Sequence, residues 1–145
     1  MTDILLNAKR ILEEEALTCV ITDGSAVYKS RQRGIKPLLE LVQSGKDTKG
    51  FYAADKVVGK AAAFMYILLG VKELYAKVIS KPSVALLNAH GIGVCYDTLA
   101  DAIKNRSGDG FCPMEQAVKD ITDPEDAVDA VIQKLEQLKK VNHLD

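Results

Sequence analysis

Residues 53–71, AADKVVGKAAAFMYILLGV, constrain this chain more than any other stretch. At helical spacing they are apolar on nearly every side, and a helix apolar all round must be buried. The spacing predicts a central helix over Ala54–Leu69, with Val57, Val58, Phe64, Met65 and Leu68 in the core. One wedge interrupts it, formed by Asp55, Lys56, Gly59 and Lys60 in the opening turns. Charges at the end of a buried helix are rarely left unpaired. The wedge therefore opens onto a cleft or meets partner charges. Lys56 and Lys60, stacked at i,i+4, repel by roughly 0.2–0.5 kcal/mol, and Gly59 costs about 1 kcal/mol relative to Ala. A bound anion accounts for both lysines, and the missing side chain at Gly59 lets that anion or another backbone come close. The plainer account is that Asp55 pairs with a distant lysine, the two lysines reach solvent, and Gly59 permits helix packing.

The chain has 145 residues, 48% hydrophobic and 27% charged, which fits one domain spanning 1–145. A net charge of −1 and no long basic stripe argue against a nucleic acid polymer held by phosphate neutralisation, while leaving a single nucleotide as a ligand. The longest uncharged run, Ala61–Val71, is too short to cross a bilayer, so no membrane association is expected. The opening MTDILLNAKRILEEE is charged and amphipathic and reads as a helix rather than a leader. Cys19, Cys95 and Cys112 are odd in number and show no CxxC spacing, which points to free thiols in a reducing cytoplasm.

Residues 3–15 place Ile4, Leu5, Ala8, Ile11 and Leu12 on one helical stripe. Two strand-like runs, Leu17–Thr22 and Ala26–Lys29, flank Asp23-Gly24, a hairpin signal. A short helix over Gly34–Ser44 ends at Gly45. Beyond the apolar stretch, residues 74–79 read as a buried strand, and Lys81-Pro82-Ser83 opens a helix to about His90. Gly91–Tyr96 reads as a strand, Leu99–Lys104 as helical, SGDGFCP (107–113) as a loop, and Met114–Ile121 as a short helix. Asp123-Pro124-Glu125-Asp126 is a helix start, followed by the stripe Val128, Val131, Ile132, Leu135 and Leu138. A hairpin followed by alternating helices and strands implies an α/β fold, one sheet with helices on both faces.

Two further clusters carry chemistry-bearing residues. The segment Asn105 to Glu115 sets two glycines around Asp109, close to Arg106, Cys112 and Glu115. Such a loop presents backbone N–H groups, and Cys112 stands just before a helix start, a setting that suits a reactive thiol. Its bland reading is a capped turn with a small buried cysteine. A nucleophilic Cys112 calls for a histidine, and the chain offers only His90 and His143. Lys81-Pro82-Ser83 is either an anion-holding helix start or an ordinary capped one.

Taken together, Ala54-Asp55-Lys56-Val57-Val58-Gly59-Lys60-Ala61-Ala62, Lys81-Pro82-Ser83 and the segment from Asn105-Arg106 to Glu115 resemble a small family of uncharacterised prokaryotic proteins assigned a cytidine-deaminase-like fold. The resemblance implies a three-layer α-β-α sandwich with a mixed sheet that begins with a hairpin. Zinc deaminases carry His- or Cys-Ala-Glu at one helix start and Pro-Cys-x-x-Cys at the next, as ligands and proton carrier. Here Ala53-Ala54-Asp55 and Pro82-Ser83-Val84-Ala85-Leu86 stand in those places, so the ligand positions hold Ala53, Ser83 and Leu86. The resemblance thus implies the fold and a cleft between two helix starts, without the metal.

The leading expectation is a metal-free protein, with no cofactor, that binds a small anionic or nucleotide-like ligand in that cleft, with catalysis there left open. Asp55, Lys60 and Cys112 are the candidate catalytic residues, with Lys56, Gly59, Ser83, Arg106, Asp109 and Glu115 binding the ligand. Asp55 handles protons or orients the ligand, and Lys56 and Lys60 supply positive charge. A homodimer is expected by analogy with the resembling fold. The alternative is a non-catalytic interaction or regulatory protein that has lost deaminase chemistry. Thiol chemistry at Cys112 is a third reading.

Overall fold

The computed structural model of the chain describes residues 1–104 and 112–143. Helix α1 (Asp3–Glu14) starts where the Thr2 hydroxyl accepts the Leu5 N–H at 3.3 Å. It leads into strands β1 (Cys19–Thr22) and β2 (Val27–Ser30). Asp23 shapes the turn between them by accepting the Ser25 and Ala26 N–H groups, each at 2.8 Å. Helix α2 (Lys36–Ser44) ends at Gly45, as its left-handed backbone requires. Then follow β3 (Tyr52–Val58), α3 (Lys60–Leu69), β4 (Glu73–Ser80), α4 (Lys81–Ala89) and β5 (Gly93–Ala100). Short α5 (Pro113–Ala117) and long α6 (Pro124–His143) complete the described chain.

The strands form one mixed sheet in the order β2-β1-β3-β4-β5. β1 runs antiparallel to β2 and β3, whereas β3, β4 and β5 are parallel. One face is covered by α1, whose Leu5, Ala8 and Leu12 pack on Val20, Ala54 and Tyr75. The other face carries α2, α3, α4 and α6 around a core centred on Phe64, Met65 and Leu87. Among the described residues no helix is long and apolar enough to cross a membrane.

The stretch read as one helix, Ala54–Leu69, is a strand followed by a helix. A parallel strand covered on both faces reads as a near-continuous apolar run, which periodicity alone does not separate from a buried helix. The β-branched Val57-Val58 favour the pleated backbone, and Gly59 marks the break. Lys56 and Lys60 are therefore not stacked on one helix. Of the expected core residues, Val58, Phe64 and Met65 are buried, Leu68 is half-buried, and Val57 is 45% exposed. Leu99 likewise belongs to β5 rather than to a helix, since the strand continues until Ala100 pairs with Ser80.

α3 is enclosed by α2, α4, α5 and α6, so its ends need partners from within the protein. At the C-terminal end the buried Thr48 hydroxyl donates to the Leu69 carbonyl at 2.6 Å. Gly70 follows at φ 73°, where a Cβ would lie 3.3 Å from the Lys49 Cα. Gly45 has nearly the same φ, 72°, with nothing within 4 Å of its would-be Cβ. Gly70→Ala is expected to cost about 1–2 kcal/mol for the left-handed backbone, plus the squeeze on Lys49. Gly45→Ala should show the backbone cost alone. Urea unfolding of both variants measures the difference, and equal losses would mean that the Lys49 backbone yields freely.

Candidate functional site

A cleft of about 390 Å³ opens at the end of the sheet where β3 gives way to α3. There β3 pairs parallel with β4 on one side and antiparallel with β1 on the other, so the connections leave its carboxyl end open, the usual setting for a crevice. Its polar wall is the β3 end, with Asp55 and Lys56; its apolar wall includes Ile35, Leu38 and Met114.

Asp55 is 7% exposed, and it lines this cleft. Its Oδ2 accepts the Tyr66 hydroxyl at 2.5 Å, and its Oδ1 accepts the Val57 N–H at 3.2 Å. Burial raises its pKa to about 7, while these donors, Tyr66 foremost, pull in the opposite direction. Cys19 faces Asp55 across the β1–β3 pairing. Burial, then the Asp55 charge, pushes its thiol up to about 12, so it stays protonated and un-nucleophilic near neutrality.

Arg33, Lys56 and Lys104 stand around the cleft, all exposed. Among the described residues none of these cations lies within ion-pair distance of a carboxylate. Arg33 and Lys104 were not anticipated. The Arg31-Gln32-Arg33-Gly34 run between a strand and a helix was the available signal for the first.

The start of α3 is already occupied. Glu115 of α5 accepts the Lys60 N–H at 2.6 Å with Oε1 and the Ala61 N–H at 3.0 Å with Oε2. A carboxylate suits this positive helix end. Gly59 makes the approach possible, because a Cβ there would run into the Glu115 carboxylate. Lys60 turns its ammonium away, to the Lys119 carbonyl at 2.9 Å and over the Phe64 ring.

Of the expected site residues, Asp55, Lys56, Gly59, Cys112 and Glu115 share the cleft. Lys60 and Ser83 are not in its lining, which corrects the expected sharing of one cleft with Ser83. Ser83 is buried at the start of α4, its hydroxyl 2.6 Å from that of Ser80. Arg106 and Asp109 lie outside the described residues. Ala53-Ala54-Asp55 falls inside β3, not at a helix start; the helix start is Gly59-Lys60-Ala61. His90, considered as a partner for Cys112, caps the far end of α4 and lines another cavity. Among the described residues no group of three or more His, Cys, Asp or Glu side chains is placed to hold a metal ion.

Two predictions follow from this geometry. Glu115→Ala removes a charged cap and should cost about 1–2 kcal/mol. Gly59→Ala should cost a similar amount by expelling the same carboxylate, and the double variant should lose little more than either single one. Full additivity in chemical denaturation would show that the two positions act separately.

The second concerns pH. Asp55 titrates at its ordinary value, near 4, when unfolded and at about 7 when folded, so the folded state holds the proton more tightly. Its contribution to stability is fully present below about pH 4 and is lost as the pH rises through about 7, on the order of 4 kcal/mol in all. Asp55→Asn should remove this slope, so that its stability relative to the parent protein rises by on the order of 4 kcal/mol between about pH 4 and pH 8. A stability difference that does not vary between those pH values would reject the assignment.

Comparison with known proteins adds the lineage. Residues 7–135 match the family model described as Domain of unknown function (DUF1893). Among solved structures, the chain is similar to a DUF1893 family protein from Thermotoga maritima. The identity is 32% and the TM-score 0.85, covering 92% of this chain and 91% of that one. It is also similar to a diaminohydroxyphosphoribosylaminopyrimidine deaminase/5-amino-6-(5-phosphoribosylamino)uracil reductase from Thermotoga maritima. There the identity is 14% and the TM-score 0.44, over 64% of this chain and 35% of that one. No curated protein matches the chain. With the family model spanning most of its length, this chain belongs to the DUF1893 family, a domain of unknown function.

Proposed function

We propose that the cleft beside β3 binds a small molecule that joins an apolar ring to an anionic group, such as a nucleotide, and exchanges a proton with it through Asp55. One observation carries the reading: a buried carboxyl that titrates near neutrality lines a cleft surrounded by Arg33, Lys56 and Lys104. A carboxyl poised in this way suits general acid/base work. Cations without a carboxylate partner among the described residues suit an incoming anion. Ile35, Leu38 and Met114 offer apolar surface to a ring. Glu115 holds the start of α3, so the anion is assigned to the side chains around the cleft rather than to that helix end.

The same reading takes the fold as a deaminase-like three-layer sandwich without zinc. The strand order, the parallel β3, β4 and β5, and the helices on both faces are consistent with it. The acid/base carboxyl then comes from within β3 rather than from a helix start. A cytoplasmic location goes with the three free cysteines.

A thermal-shift screen tests the proposal, using inorganic phosphate, nucleosides and nucleoside monophosphates on the full chain. A compound carrying both parts should stabilise the protein by about 2.7 kcal/mol at 100 times its dissociation constant. Arg33→Ala, Lys56→Ala and Lys104→Ala should each weaken it, whereas Lys72→Ala, at the other end of the sheet, should not. Stabilisation that survives the triple substitution, or a panel in which nothing stabilises, would sink the proposal.

A further inference from the structure

We infer that Asp55 exchanges its proton through one oxygen only: Tyr66 holds Oδ2 in both charge states, so the mobile proton sits on Oδ1, on the cleft side. Tyr66 is then a positioning residue. The inference rests on the reading of Asp55 as the proton-holding group of the cleft.

Tyr66 is fully buried, and its hydroxyl donates to Oδ2 at 2.5 Å. Among the described residues that hydroxyl has no second partner. Burial and the Asp55 charge hold the phenol well above its ordinary range, so it keeps its proton. Turning that proton away from Oδ2 would leave a buried donor unsatisfied. Tyr66 therefore remains the donor whether or not Asp55 is ionised, and a proton on Oδ2 would meet the phenol proton head-on.

Oδ1 is different. Among the described residues the Val57 N–H, at 3.2 Å, is the hydrogen bond it accepts, which leaves a lone pair over. Val57 lines the cleft and Tyr66 does not, which favours Oδ1 as the oxygen on the ligand side. The exchange is a plain proton transfer: the Oδ1–H bond breaks, the proton moves to a basic atom of the ligand, and Asp55 is left as a carboxylate still held by Tyr66 and Val57. The other titratable groups facing Asp55 are Cys19 from β1, Lys56 beside it on β3, and Arg33, Lys104, Cys112 and Glu115 across the cleft. On β4 it pairs with Ala76, which does not titrate.

The test is an infrared titration of the ligand-free full chain. The carbonyl band of the protonated Asp55 is identified by its loss in Asp55→Asn. Tyr66→Phe keeps the ring and removes the donor to the ionised form. The midpoint should rise by about one pH unit or more, a tenfold or larger gain in proton affinity. Biosynthetic replacement of tyrosine by 3-fluorotyrosine, a more acidic phenol, strengthens the same donation and should lower the midpoint. It carries the test if Tyr66→Phe does not fold. A midpoint that stays put, or moves the other way, overturns the inference. No ligand is present, so this outcome stands apart from the thermal-shift result: either can fail while the other holds.

Discussion

A helix surrounded by other helices has nowhere to solvate its ends, and α3 is such a helix. Its first N–H groups and its last carbonyls must find partners inside the protein. Glu115 reaches the first from 54 and 55 residues away, and Thr48 reaches the last from 21 residues away. These contacts fix more than α3. The first ties α5, and through it the start of α6, to the end of the sheet. The second ties the loop after α2 to the opposite end. The first tie also sets α5 beside the cleft that Asp55 lines.

The cleft has an unusual electrical character. Its buried charged group, Asp55, is brought by burial to titrate near neutrality, and exposed cations stand around it. Cys19, next to Asp55, is kept in the thiol form by the same apolar surroundings. Two groups that are reactive in other settings are thus governed by one cause, the cost of placing charge where water is scarce. What separates them is hydrogen bonding. Asp55 has fixed donors that make its ionised state attainable near neutrality, and Cys19 has none recorded among the described residues.

Much of this was readable beforehand, and the misreadings have physical causes. The α1 stripe, the Asp23-Gly24 hairpin, Gly45 as a helix stop and Pro82 at a helix start were legible because each rests on local chemistry. The β3–α3 stretch was misread because a strand covered on both faces loses its alternation, leaving Val57-Val58 and Gly59 as the local clues. Asp55 stood out as a charge in an apolar run, and that signal survived the wrong secondary structure. Its link to Tyr66, eleven residues on, was hidden because it depends on the strand folding back under its own helix. Arg33 and Lys104 were overlooked because an exposed cation in a polar stretch carries no local mark of the cleft it will face.

Gly59 and Glu115 also have a meaning on the scale of descent. The space left by one is filled by the carboxylate of the other, so neither residue is free to drift alone. A lineage that acquires a side chain at position 59 loses the use of Glu115, and one that loses the carboxylate no longer has a reason to keep the glycine. The pair is therefore expected to be inherited as a single character written at two distant places in the chain. Descendants that rebuild the start of α3 must change both places together or find a new partner for its backbone.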